Sequence, residues 1–257
     1  MIWSLATVIT LGGIVVGWQA AHLTHRYHED AETETAVLGD AICPRCEHVL
    51  TAADTAPPRW WATGLRCVHC AARLPLTWFS VQLAVPIFGL AMLATWGASW
   101  TLVPFLWLVP VLVVAAAVDA RLMLIPKRIA WEGFGVGVVL IGFHSLIVGH
   151  TENLLQALIG AALYFTFLFV THVISPGGMG FGDVRLAAIL GLYLGWISLV
   201  LTAVGLFLAC LIGVFLGLGV RFATHGQRHF PFGPGLAAGT MVAIWFWSPI
   251  TARLAGG

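Results

Sequence analysis

Two groups of residues in this chain have the types and spacing to do chemistry. The first is four cysteines, Cys43 and Cys46 in "CPRC" and Cys67 and Cys70 in "CVHC", spaced C-x2-C-x20-C-x2-C. Two such knuckles offer four thiolates to one tetrahedral ion and leave no open position. They predict a structural zinc that folds a small loop, not one that activates water. His48 and His69 stand close enough to substitute as ligands, although four cysteines already satisfy the ion. The alternative is two unconnected redox pairs or plain thiols. Cys210, inside an apolar run, reads as a small core residue.

The second group is two aspartates embedded in apolar sequence, Asp119 in "AAAVDARLMLIP" and Asp183 in "GGMGFGDVRLAAILG". Ionisable groups at membrane depth are costly and mark pathways, proton relays or catalytic sites. A pair of carboxylates hydrolyses a peptide when one, ionised, deprotonates a water while the other, protonated, donates to the carbonyl oxygen. Each aspartate also has a structural reading: Asp183 as the cap of a helix N-terminus, Asp119 as the ion-pair partner of Arg121 or Arg185. Gly180 and Gly182 favour the functional one. They are expected to admit positive φ and a close approach of substrate backbone, which a mere cap does not need.

The elements that must carry these residues are membrane helices. Of 257 residues 60% are hydrophobic and 9% charged, with a mean hydropathy of +0.94, a composition of polytopic membrane proteins. A net charge of +1 leaves no electrostatic footprint for nucleic acid. Apolar stretches run over 2–18, 77–95, 102–118, 129–148, 154–174, 184–195, 197–220 and 236–249, which predicts an all-α protein with about eight transmembrane helices. The first has no Lys or Arg ahead of it and a polar segment behind it, so it reads as an uncleaved span, not a signal peptide. The stretch 184–195 is short for a crossing and reads as tilted, extended through Asp183 or partly re-entrant. The expected organisation is a first helix over 1–23, a zinc-knuckle loop over 24–76 and a multi-helix domain over 77–257.

If all eight cross, eleven of the twelve Lys and Arg fall on one side, with only Arg253 opposite. By the positive-inside rule that side is the cytoplasm, and it holds the cysteine loop, Asp119 and Asp183, with both termini outside. Other conspicuous features have plainer readings. Tryptophans near span ends (Trp18, Trp78, Trp100, Trp196, Trp247) fit an interfacial belt. Small residues in "LIGAAL" and "GVGVVLIG" suit close helix packing. His172 suits packing or a helix–helix hydrogen bond. The stretch "HEDAETETAVLGDA" reads as a polar connector with nothing catalytic in it.

Taken together, these residues resemble the bacterial type IV prepilin peptidases, membrane aspartic proteases that also methylate the new N-terminus of their product. The resemblance covers nearly the whole chain: a first span, a loop with two C-x-x-C pairs, "VDARLMLIP" like the first aspartate motif, "GMGFGDVRL" like the G-x-G-D motif, and "PFGPGLAAG" like a C-terminal segment. It implies that Asp119 and Asp183 are the catalytic pair and that Gly180 and Gly182 position the second. It also implies prepilin or pseudopilin substrates with short basic leaders, and S-adenosylmethionine as methyl donor. The chain departs from the family pattern at Lys127, where an acid is usual, and at Arg185, where a lysine is. In "GWQAAHLTHR" it keeps Gly17 and Arg26 but has Ala21 for an asparagine, and in "RLPLTW" it has Trp78 for a glutamate. The last two bear on methyl transfer, which the sequence leaves open.

The reading is therefore a multi-pass protein of the bacterial inner membrane, with active site and zinc loop facing the cytoplasm, that cuts leader peptides from prepilin-like proteins. Its rivals are a proton-coupled transporter with Asp119 and Asp183 as relay, and an inactive zinc-binding membrane scaffold.

Overall fold

The computed structural model describes residues 2–30, 35–149, 151–175, 179–223 and 231–247. Among them are nine helices and one pair of short strands. In chain order these are α1 (Ile2–Arg26), β1 (Tyr27–Asp30), β2 (Thr35–Leu38), α2 (Pro57–Ala62), α3 (Leu76–Trp96) and α4 (Leu102–Leu122). They are followed by α5 (Lys127–Val148), α6 (Glu152–Ile174), α7 (Phe181–Ile197), α8 (Leu199–Ala223) and α9 (Gly233–Trp245). The protein is an all-α polytopic membrane protein. Six helices, α1, α3, α4, α5, α6 and α8, are long and apolar enough to cross a bilayer. The other two expected spans are shorter helices: α7 has 17 residues and α9 has 13. Residues 248 and 249 of the last expected span, like Arg228 and Arg253, lie outside the described residues.

The short stretch 184–195 is extended through Asp183, as one of its three readings anticipated. At about 1.5 Å per residue, the 17 residues of α7 approach the bilayer's apolar thickness. Its sequence is apolar on every side because it is enclosed on every side: twelve of its residues are buried, from Asp183 to Trp196, among α5, α6, α8 and α9. Lipid gives no hydrophobic reward for bringing helices together, so small residues that let backbones touch decide the packing. A Cβ on Gly191 would lie 2.3 Å from the Gly160 carbonyl oxygen of α6, and one on Gly195 would lie 2.6 Å from that of Gln156. The small residues of "LIGAAL" therefore form the α6–α7 seam. In "GVGVVLIG" only Gly137 is close-packed, against Tyr193, while Gly135 and Gly142 face open space.

Polar tips then fix α7 along its axis. Tyr193 donates to the Pro104 carbonyl (3.1 Å) and the Trp196 indole to Ser145 Oγ (2.8 Å). Two of the tryptophans expected in an interfacial belt are thus core residues: Trp196, and Trp78, which is buried and stacked on His25 at 4.0 Å. Trp100 stays exposed, while Trp18 reaches into the cysteine loop and donates to the Ala52 carbonyl (3.1 Å).

The connector read as merely polar forms the antiparallel pair β1–β2, in register Tyr27↔Leu38 to Asp30↔Thr35. Four-residue strands carry too little alternation to be seen in sequence. β1 continues directly from α1 and lies against α4.

Filling the α6–α7 seam should destabilise the whole bundle. Gly191→Val is expected to cost about 1–3 kcal/mol or more, seen as a lower melting temperature in detergent. Gly142→Ala, on an open helix face, should be neutral or stabilise by up to about 1 kcal/mol.

Candidate active site and metal centre

Asp119 lies in the last turn of α4. The helix stops at Met123, which takes a left-handed conformation (φ 55°) and whose N–H returns to the Asp119 carbonyl (2.8 Å). Three residues later Pro126 precedes the first residue of α5. This short link carries Ile125 against the start of α7, where Gly182 makes the contact possible: a Cβ there would lie 2.8 Å from Ile125 Cβ. Asp183, one residue on, is brought to the end of α4. The two aspartates line one cavity of about 190 Å3, with Gly180, Gly182, Lys127 and Arg185 in its wall. Each is nearly buried, with 4% and 5% of its surface exposed.

The ion-pair reading of Asp119 does not describe its contacts. Arg121 donates to the Thr24 carbonyl at the end of α1, and the Arg185 guanidinium lies 4.5 Å above the Phe181 ring. Neither aspartate forms an ion pair among the described residues. Asp183 holds the third position of α7 with its carboxylate turned back toward the backbone N–H of Gly180, the residue before the helix, while its Oδ1 is buried without a hydrogen-bond partner.

The glycines act otherwise than expected. Gly180 has φ −69° and Gly182 is helical, so neither uses positive φ. Gly182 is required for the approach to Ile125, while a Cβ on Gly180 would meet nothing nearer than 3.7 Å. The stretch leading into α7 is held from α6, where His172 Nδ1 donates to the Met179 carbonyl (2.8 Å) and its ring lies 5.6 Å from Phe181.

One partner was missed in the sequence. The N–H of Gly233, the first residue of α9, donates to Asp119 Oδ2 (2.7 Å). A Cβ at that position would lie 2.7 Å from the same oxygen. The first N–H groups of a helix have no partner within it, and here one is spent on the carboxylate. The signal the sequence carries is "PFGPGLAAG", a glycine and a proline at a helix start.

The four cysteines come together at the same end of the molecule. Their Sγ atoms all lie within 4.8 Å of one another, with Cys43 and Cys70 at 3.8 Å and Cys46 and Cys67 at 3.9 Å. Four thiolates about 2.3 Å from a tetrahedral ion stand about 3.8 Å apart, so the donor set fits such a metal. The close pairs join different knuckles, which the reading as separate redox pairs does not predict. Both knuckles have the same backbone: an antiparallel bridge (Ile42↔Val49, Arg66↔Arg73) closes over a turn whose residue after the second cysteine has positive φ (Glu47, Ala71). His48 and His69 stack on each other at 4.7 Å. Burial raises the Cys43 thiol, but backbone hydrogen bonds from Arg45 and Cys46, together with the Cys46 and Cys67 side chains, outweigh it and hold the group at about 7.

The profile of the type IV leader peptidase family matches residues 106–218, a range that contains both aspartates. The chain is 30% identical over 246 residues to a prepilin leader peptidase/N-methyltransferase of Aeromonas hydrophila, covering 91% of this chain and 82% of that one. It is 30% identical over 224 residues to one from Pseudomonas aeruginosa (85% and 76% covered) and 29% identical over 214 residues to one from Bacillus subtilis (81% and 82%). No solved structure matches.

Metal analysis of the purified protein should find about one ion per chain held by the cysteine cluster. Cys67→Ser should abolish it. Because the ligands are thiolates, protons compete with the metal, so retention should fall as pH falls through the range in which the thiols protonate.

Proposed function

The chain belongs to the type IV leader peptidase family, and from that premise we propose that it is a membrane aspartic endopeptidase that removes leaders from prepilin-like proteins, with Asp119 and Asp183 as its catalytic residues. The observation that carries this reading is the pair itself: two nearly buried carboxylates share one cavity, and neither is used in an ion pair among the described residues. Asp119 accepts the Gly233 N–H at the start of α9, an arrangement that favours an ionised carboxylate. It is the base that takes a proton from water. Asp183, with a buried unpartnered oxygen, is the acid that donates to the substrate carbonyl oxygen as the water oxygen attacks its carbon. When the tetrahedral intermediate collapses, the proton on Asp119 passes to the leaving amine and Asp183 recovers its own from the hydroxyl oxygen, so both carboxyl groups return to their starting states. Gly182 sets the distance between the two halves of the site by admitting Ile125.

The cytoplasmic side is the reading supported by charge. Arg26, Arg121, Lys127, Arg128 and Arg185 all sit at the helix ends that meet at the aspartates, and basic residues are retained on the inner face. A substrate's apolar helix then lies in the bilayer while its leader remains in the cytoplasm, with the scissile bond at the depth of the pair. Zinc is the ion we assign to Cys43, Cys46, Cys67 and Cys70; it closes the loop and takes no part in the reaction.

Methyl transfer, the second activity in the relatives' names, would take S-adenosylmethionine as co-substrate. The two departures from the family pattern in this region are packed together instead of polar. Ala21 is buried, and its carbonyl accepts from His25 Nδ1 (2.9 Å), the ring on which Trp78 stacks.

Co-expression with a prepilin-like substrate tests the proposal. Wild type should remove the leader, and Asp119→Asn or Asp183→Asn should lower the rate by roughly a hundred- to ten-thousand-fold with melting temperature and metal content retained. Gly233→Ala should lower kcat with a smaller effect on KM. Cleavage that survives both Asn substitutions rejects the aspartic mechanism, and ion flux without cleavage identifies the transporter instead. The mass of the new N-terminus reads methylation in the same sample.

A further inference from the structure

β1 and β2 are the only strands among the described residues, and they stand beside the carboxylates. Thr35 and Ala36 of β2 line the same cavity as Asp119 and Asp183, whereas no residue of β1 does. β1 is the inner strand, with Tyr27 buried and α4 behind it. β2 is the outer one, with Val37 and Leu38 exposed.

The register tells which backbone groups of β2 face outward. The Gly39 N–H donates to the Arg26 carbonyl (2.7 Å), and these residues are paired one step beyond Tyr27↔Leu38. Antiparallel pairs alternate between those that exchange hydrogen bonds and those that do not. Counting from the pair of Arg26 and Gly39, the bonded pairs are His28 with Val37 and Asp30 with Thr35. Ala36 and Leu38 fall in the intervening pairs, so their N–H and C=O point away from β1. The outward donor and acceptor of Ala36 thus belong to a residue of the cavity wall, and among the described residues nothing hydrogen-bonds to them.

We propose that the scissile segment of the substrate binds in extended form as a third strand on β2, exchanging backbone hydrogen bonds with Ala36 and Leu38 so that the bond to be cut faces Asp119 and Asp183. The inference rests on the peptidase reading and adds how that site holds its substrate. A peptide in a helix has its N–H and C=O groups tied to its own turns, and the carbonyl to be attacked is shielded. The segment must unwind to be cut, and near the bilayer its freed backbone groups need new partners. A strand edge supplies them at every second residue whatever the side chains are, so it holds an unwound segment without demanding a particular sequence.

The test uses wild-type enzyme in detergent and synthetic prepilin-like peptides, each with a single backbone N-methyl group, walked through the residues flanking the scissile bond. Strand addition predicts a period of two: methylation at alternate residues should lower kcat/KM by about tenfold, and at the residues between by little. Loss confined to the scissile amide, or loss without alternation, overturns the inference while the parent peptide is still cut. A parent peptide that is not cut at all sinks the peptidase reading and this inference with it. On the enzyme side, Ala36→Pro removes an N–H that β1 does not use, as edge strands tolerate. It should keep its metal and its melting temperature, cut the parent peptide about tenfold more slowly, and be non-additive with the N-methyl peptide altered at the paired residue. Wild-type rates for Ala36→Pro would also overturn the proposal.

Discussion

A carboxylate in the last turn of a helix sits where that helix's own dipole disfavours it, and Asp119 is placed there with 4% of its surface exposed. What makes the position tenable is the Gly233 N–H at the start of α9. The dipole effect amounts to about 0.3–1 kcal/mol near a surface, whereas a hydrogen bond to a charged group contributes about 1.5–3 kcal/mol, so the contact with α9 prevails over the unfavourable end of α4. Much of the surrounding packing follows from the need to bring that N–H within reach. α9 runs against α8 with almost no side chain between them: a Cβ on Gly239 would lie 2.3 Å from the Ala209 nitrogen, and one on Gly235 would lie 2.6 Å from Gly213 Cα. Gly213 in turn leaves room for the Phe232 ring immediately before Gly233. Glycine is costly inside a helix in water, but in these helices it sets the depth at which α9 begins.

The same constraint accounts for what the sequence disclosed and what it concealed. The helices were legible because the solvent dictates them: a chain that must satisfy its backbone inside lipid forms apolar helices, and their lengths are printed in the hydropathy. The cysteine cluster was legible because metal chemistry fixes both ligand type and spacing. Asp119 and Asp183 stood out because a carboxylate in apolar sequence is expensive. The acceptor relation between Asp119 and Gly233 was hidden for a general reason, since a backbone N–H leaves no mark on residue type; only the glycine needed for the close approach does. Gly180 and Gly182 were expected to use positive φ, and neither does. Gly182 is there for space against Ile125 and not for φ, a distinction that depends on a partner 57 residues away in sequence (182 minus 125). Trp78 and Trp196 misled in the opposite direction, because a tryptophan near a span end looks interfacial until its neighbours are known.

β2 was hidden most completely, and its position depends on everything between α1 and α3. The pair β1–β2 leaves the end of α1 directly, and the chain is pinned back at once: Arg26 Nε donates to the Gly39 carbonyl (2.9 Å), and His28 Nε2 bonds the Asp40 carbonyl (2.7 Å). Three residues later Cys43 enters the four-cysteine cluster. The far side of that loop is fastened to the membrane helices through the Trp18 indole on Ala52 and the Trp61 indole on Gln82 of α3 (3.3 Å). The loop has few buried apolar residues of its own beyond Ala41, Leu50 and Leu74, too small a core to order a chain of this length without a further tie. A four-thiolate site supplies that tie by joining its two knuckles.

The cysteine cluster therefore bears on the candidate site without lining its cavity. It joins the two knuckles of a loop that is fastened to α1 and α3, and β2, at the start of that loop, lies at the cavity lined by Asp119, Lys127 and Asp183. The carboxylates are placed by helix packing and the strand edge by the fold of the cysteine loop. The two arrive at one place by independent means. An enzyme that must take hold of a peptide emerging from the bilayer gains from this division. On the proposed mechanism its acid and base stay buried in the end of the bundle, while the strand proposed to receive the substrate is exposed.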